Sequence, residues 1–216
     1  MGLDSQRHTR GLGEAGGHAL RRAADIVLAA VALALTSPLL LAAMVAIRLE
    51  SPGSALFRQR RVGREGEPFE LLKLRTMVSG AERIGAGIAV DAGDARITRV
   101  GALLRRVSLD ELPNLVNVLR GEMAIVGPRP TIQAQVDQYT ERQRRRLEVR
   151  PGITGWAQVN GRASLPWPER IELDVWYVDH RTWRLDVAIL VRTAQLLVSG
   201  RGLYRGKEGG WRPGTG

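Results

Sequence analysis

Residues 26–47 contain no charged side chain and are mostly Leu, Ala and Val. No other stretch restricts the fold so strongly, because such a run must be held away from water by lipid or by a protein core. As a straight helix it would reach ~33 Å, enough to cross the hydrocarbon core of a bilayer. A signal peptide fits poorly: the run is longer than a usual hydrophobic region, and the residues before it lack targeting character. Pro38 sits near the middle, where it removes a backbone hydrogen bond and clashes with the preceding turn. The Ser37 hydroxyl can satisfy a carbonyl freed by that kink. Arg21 and Arg22 precede the run, and Arg48, Arg58, Arg60, Arg61 and Arg64 follow it. Cationic flanks prefer the cytoplasmic face, so positive charge at both ends conflicts with a crossing. A re-entrant helix, broken at Ser37-Pro38 and returning to the side it came from, resolves the conflict. A kinked spanning helix and a buried core helix are the alternatives.

The 216 residues suffice for one substantial domain or two small ones. A net charge of +10 and a pI near 11.2 predict attraction to polyanions: nucleic acid, anionic lipid or phosphates. With no cysteine there is no disulfide, thiolate nucleophile or Cys-based zinc site, and His8, His18 and His180 are scattered. A metal here would be a hard ion held by carboxylates and phosphates, magnesium first. Residues 1–18 and 200–216 lack apolar periodicity and are read as flexible tails. That leaves a membrane helix over 19–48 and a catalytic domain at the membrane interface over 49–199.

Two short strands are predicted over residues 55–61 and 68–75, joined as a hairpin through Gly63-Arg64-Glu65-Gly66. Lys73 and Arg75 then project from one face, which is equally what a solvated strand face looks like. Residues 78–83 read as helix and the Gly-rich 85–93 as a surface loop, and the latter matches no phosphate-cradling motif.

Arg105-Arg106-Val107-Ser108-Leu109-Asp110-Glu111-Leu112-Pro113-Asn114 places two adjacent carboxylates after two arginines. Ser108-x-x-Glu111 fits a capping box, while Pro113 shifts the helix start later and puts Asp110 near the N-cap. Either way the helix dipole would lower the carboxylate pKa and keep it ionised, as a nucleophile or metal ligand needs. Function and simple capping are both consistent with the pattern. In Gly127-Pro128-Arg129-Pro130 the prolines stiffen the backbone around one guanidinium, whose planar fork suits phosphate; a rigid turn with a surface arginine is the plain alternative. Residues 141–148 read as an arginine-rich helical surface. Residues 150–162 form a loop with many donors, suited to a nucleotide or sugar pocket or to a mere connection. Residues 185–198 make an amphipathic helix that suits either the membrane interface or the core.

Together these segments resemble the bacterial sugar transferase family, the monotopic phosphoglycosyl transferases, in its small minimal form. The resemblance runs from about Ala19 to Arg205. It is carried by Ser37-Pro38, Phe57-Arg58-Gln59-x-Arg61-x-Gly63, Lys73-Leu74-Arg75-Thr76-Met77, Arg96-Ile97-Thr98-Arg99-Val100-Gly101, Ser108-Leu109-Asp110-Glu111-Leu112-Pro113, Val126-Gly127-Pro128-Arg129-Pro130 and Arg150-Pro151-Gly152-Ile153-Thr154-Gly155. It implies transfer of a sugar phosphate from a UDP-sugar to undecaprenyl phosphate with release of UMP, at the cytoplasmic face of the bacterial inner membrane. On this resemblance Asp110 is the nucleophile that forms an aspartyl phosphosugar, and Asp110 and Glu111 hold Mg2+. Lys73, Arg75, Arg105 and Arg129 bind phosphates, with Asp94, Arg106 and Asp174 as further polar site residues. Leu74, Thr76 and Asn114 depart from the family's commoner Phe, Ser and Gln without removing a reactive group.

The competing reading is a basic membrane-associated or nucleic-acid-binding protein. No nucleic-acid motif is present, aromatics are only 5% of residues and the apolar run would go unexplained. A catalytically inactive relative is countered by the intact Asp110-Glu111 pair. The expected partners are the UDP-sugar, undecaprenyl phosphate and membrane lipids, not nucleic acid, with homo-oligomerisation and downstream glycosyltransferases left open. The expected architecture is one α+β domain, mainly helical, with a small hairpin and interfacial helices beside the re-entrant one.

Overall fold

A computed structural model describes residues 3–81, 93–161 and 165–199. It opens on α1 (Leu3–Glu50), which carries Pro38 without interruption, where the sequence predicts a break. The local reason is visible. The Ser37 hydroxyl donates to Ala34 O at 2.8 Å, the carbonyl that the missing Pro38 N–H would have bonded, and Thr36 donates to Ala32 O at 2.7 Å. The helix also takes up residues 3–18, read from composition as a tail; extending a helix already formed adds a hydrogen bond per residue with no new nucleation. The second expected tail, residues 200–216, and most of the Gly-rich loop lie outside the described residues.

Among the described residues α1 is the one helix long and apolar enough to cross a membrane, and only 17% of its most apolar window is buried. One stripe, Ala29, Leu40, Ala43 and Ile47, packs on the rest of the protein, while Val27, Val31, Leu35, Leu41, Val45 and Leu49 face outward. A helix apolar on all sides has two faces to cover, and the protein covers one. Both flanks of the run dock on the same body. Arg22 donates to Val118 O and Leu119 O at 2.6 and 3.0 Å, and Asp25 accepts from Ile125 N at 3.0 Å. At the far end Glu50 accepts from Arg99 N and Val100 N at 2.7 and 3.0 Å, holding the start of α2 (Arg99–Arg106).

The expected hairpin is present as β1 (Leu56–Val62) and β2 (Pro68–Leu74), antiparallel from Leu56↔Leu74 to Val62↔Pro68. Its turn places Glu65 at φ 58° and Gly66 at φ 86°, the left-handed region that glycine enters freely. Phe69 and Leu71 join Ala29 with Leu115 and Val118 of α3 (Asn114–Arg120), while Leu74 packs with Leu40, Ala43 and Ile47. Burial of each Phe, Leu, Val or Ile side chain here contributes about 1.5–3 kcal/mol. The helix expected over 78–83 is a turn where described, with Ala81 N bonded to Val78 O.

A second sheet, unanticipated, pairs β3 (Ala124–Val126) with β4 (Gly152–Thr154) in parallel. Between them lie α4 (Gln133–Val136) and α5 (Glu141–Arg144), followed after β4 by α6 (Trp156–Val159). The chain then forms α7 (Trp167–His180) and α8 (Trp183–Ser199). Trp167, Ile171 and Val175 of α7 pack with Val62, Val136 and Tyr139. Helix α8 is amphipathic as predicted: Ile189 is fully buried while Val187 and Val191 are exposed.

Candidate active site

A cavity of about 700 Å³ opens where β2, the turn before α3, the 127–131 loop, α7 and α8 meet, with Ala32 and Thr36 of α1 on one wall. Asn117, fully buried on α3, ties β2 in place. Its Oδ1 accepts from Leu72 N at 3.1 Å and its Nδ2 donates to Glu70 O at 2.7 Å. A side chain here stands in for a neighbouring strand, and it sets the distance between Lys73 on β2 and the carboxylates that precede α3.

Asp110 and Glu111 lie in a single 3-10 turn, Leu109–Glu111, entered through Ser108 at φ 55°. The capping box expected of Ser108 and Glu111 is absent, and α3 begins after Pro113 with no side-chain cap. Asp110 is therefore not an N-cap. Glu111 is turned toward β2 instead, where its Oε1 accepts from Lys73 Nζ and Arg129 Nη2, both at 2.8 Å. Against the cost of burial, Arg129 and Lys73 hold Glu111 well below the usual carboxylate range. Asp110 moves the other way, correcting the expectation from the dipole. Burial pushes it up, Lys73 pulls against that, and the neighbouring Glu111 adds to the rise. Among the described residues the Asp110 carboxylate has no hydrogen bond or ion pair, and Asp110 lines the cavity.

Arg129 is aimed by close backbone contact. A Cβ on Gly127 would meet Arg150 O at 2.4 Å, and one on Gly155 would meet Gly127 O at 2.1 Å, so only glycine lets these segments touch. Segments 126–130 and 150–155 are thus one device, the loop of the second backing the turn of the first. Arg61 Nη1 donates to Pro130 O at 3.3 Å, Val62 N to Thr131 O at 2.9 Å and Arg146 Nη2 to Arg129 O at 2.9 Å.

The predicted residues separate into two groups. Lys73, Arg105, Asp110, Glu111, Arg129 and Asp174 all line the cavity. Arg75 does not: β2 ends at Leu74, and the buried guanidinium donates to Pro52 O and Ser51 O, both at 2.7 Å, closing the end of α1. Asp94 pairs with Arg96 at 2.6 Å, which brings its carboxyl down to about 2, and Arg106 is exposed; neither lines the cavity. Asp174 lines it but is closed by Arg146 at 2.5 Å. Sequence reasoning missed Asn117, Arg146 and Arg170. Arg146 sits in the stretch read as a solvated surface, yet it is buried and also bonds Tyr139. Its place in a run of arginines hid it.

Among the described residues no cluster of three or more His, Cys, Asp or Glu side chains converges on a metal. The Asp110/Glu111 pair fits magnesium of the kind that takes one or two carboxylates and fills its shell with water and substrate phosphate. Asp110 offers both oxygens, and Glu111 the one that Lys73 and Arg129 leave.

Compared with known proteins, residues 16–200 match the family described as Bacterial sugar transferase. The chain is 43% identical to an uncharacterised sugar transferase, EpsL, of Bacillus subtilis, over 86% of this chain and 91% of the relative. It is 47% identical to the UDP-glucose:undecaprenyl-phosphate glucose-1-phosphate transferase of Caulobacter vibrioides, over 85% and 72%. It is 42% identical to the UDP-N-acetylgalactosamine-undecaprenyl-phosphate N-acetylgalactosaminephosphotransferase of Aeromonas hydrophila, over 85% of this chain but 44% of that larger protein.

Proposed function

The chain belongs to the bacterial sugar transferase family, and from that premise we propose that it is a polyprenyl-phosphate sugar-1-phosphate transferase, moving a sugar phosphate from a UDP-sugar to undecaprenyl phosphate. The observation that carries this reading is Asp110, unpaired among the described residues, beside a Glu111 clamped by two cations. One carboxylate is held in place and the other is left able to react. The two relatives with named donors use different sugars, and both use a uridine diphosphate carrier and undecaprenyl phosphate.

In the first step an Asp110 carboxylate oxygen attacks the phosphorus bearing the sugar. The bond from that phosphorus to UMP breaks, UMP leaves with the electron pair, and an aspartyl phosphosugar remains. In the second step a phosphate oxygen of undecaprenyl phosphate attacks the same phosphorus and displaces Asp110, giving undecaprenyl diphosphosugar. Lys73 and Arg129 supply positive charge beside the transferred phosphoryl group, where pre-placed cations stabilise developing charge. Mg2+, when bound by Asp110 and Glu111, would neutralise the diphosphate and the departing UMP. The exposed apolar face of α1 anchors the protein in one face of the inner membrane on the cytoplasmic side. That both flanks of the apolar run dock on one body supports an anchor that does not cross.

The test is UMP release by detergent-purified protein with undecaprenyl phosphate, Mg2+ and a panel of UDP-sugars. UMP that requires both the lipid and one donor is the expected result. Absence of UMP with every donor, in a preparation that melts cooperatively, would overturn the reaction.

A further inference from the structure

The cavity is lined by six cationic side chains and three acidic ones. Four of the cations are engaged by the protein. Lys73 and Arg129 lie on Glu111, Arg146 lies on Asp174, and Arg61 lies on Gln59 and Pro130 O. The guanidinium groups of Arg105 and Arg170 have no hydrogen bond or ion pair among the described residues. Arg105 belongs to the site expected from the sequence. Arg170 does not, and nothing in its local sequence marks it.

Its environment does. Arg170 sits in the first turns of α7, between the buried anchors Trp167 and Ile171, which fix the helix against Tyr139 and Val62. Asp174, one turn on, shares its face and is the partner that helix geometry offers. That carboxylate is taken by Arg146 at 2.5 Å, so Arg170 is left half-buried against the cavity. Burial, with Arg129 and Arg146 nearby, pulls its guanidinium below the usual range, and the charges of Asp174 and Tyr139 offset only part of that. Arginine does not relieve such a setting by giving up its proton, and with Asp174 already bonded to Arg146 an anion from outside would stabilise the charge further.

We propose that Arg170 binds a substrate phosphate in this cavity. This rests on the cavity being the transferase site. A planar fork of donors in a partly dry wall recognises a phosphate whether it belongs to the nucleotide or to the lipid. With Arg105 leaving α2 on another side, the cavity holds two uncommitted cations for a reaction that brings together three phosphates.

The test is isothermal calorimetry on the full chain in detergent, with UDP and undecaprenyl phosphate titrated separately into wild type, Arg170→Met and Arg170→Lys. We expect Arg170→Met to lose about tenfold or more in affinity for one of the two, as for loss of a charged hydrogen bond. Arg170→Lys should recover part of it, with melting temperature unchanged. Loss for UDP alone assigns Arg170 to the donor diphosphate, and loss for the lipid alone to the acceptor. Affinities within twofold of wild type for both would overturn the proposal; Arg170→Gln gives the same comparison if the methionine variant does not fold. UDP binding that depends on Arg170 without turnover would remove the proposed reaction and leave this site. Turnover and binding indifferent to Arg170 would do the reverse.

Discussion

Two carboxylate–cation clusters line one cavity and are built to opposite ends. At Asp174 and Arg146 the side chains are 4% and 6% exposed, and Arg146 is further bonded to Tyr139 and Arg129 O. At Glu111 the carboxylate is 22% exposed, Lys73 17% and Arg129 43%, and the adjacent Asp110 carboxylate has no hydrogen bond or ion pair among the described residues. The first cluster closes its carboxylate with a buried cation and holds α7 to the 127–131 loop. The second keeps one acid fixed and one unsatisfied. Proximity to a cavity therefore does not distinguish Asp110 from Asp174; whether a cation closes the carboxylate does.

The comparison can be broken first at Asp110. Asp110→Asn should lower UMP release by ~10³-fold or more, as for loss of a nucleophile, while the melting temperature holds or rises. Retained turnover would end its assignment. Asp174→Asn should do the opposite: lost pairing of a buried charge costs about 3–5 kcal/mol in unfolding free energy, read by denaturant titration. A stable Asp174→Asn protein without activity would place Asp174 with Asp110 among the proposed reactive residues. Lys73→Met is expected to reduce kcat/KM by roughly 10–100-fold, with a smaller change in stability because its pair is partly exposed.

The smallest effect is on pH dependence. Asp110 is held above the ordinary aspartate value of about 4, so the acid limb of kcat/KM should fall at a pH above that value. Lys73→Met should move the limb further up, since Lys73 is the cation opposing the rise. For stability, a raised pKa means the folded chain binds the proton more tightly. Asp110 therefore favours the fold below the unfolded value, and that contribution is lost as pH climbs through the folded one. In Asp110→Asn this part of the stability profile should flatten. A limb that stays in place in Lys73→Met would show that another group controls it.

Much of this was legible in the chain. Two short strands joined through Gly63-Arg64-Glu65-Gly66 located the hairpin to within a residue, and an uncharged run identified α1. Ser37 was expected to satisfy a carbonyl freed by Pro38, and it does; that same bond is why the helix continues where a break was predicted. Arg75 misled because alternation holds only while the strand lasts, and β2 stops one residue earlier. Ser108-x-x-Glu111 misled because Ser108 turns into the left-handed region and a distant lysine and arginine claim Glu111.

By itself, then, the sequence determined the long apolar helix, the hairpin and the adjacent Asp110-Glu111 pair as the candidate. These depend on backbone preference and on residues within a turn or two of each other. Only the tertiary structure decided which charges are committed and which stand free. Lys73 and Glu111 are 38 positions apart, Arg129 and Glu111 18, and Arg146 and Asp174 28. A carboxylate's state is set by what surrounds it in space, and at those separations only the packing of α3, α7 and the two glycine-lined segments brings the partners within reach.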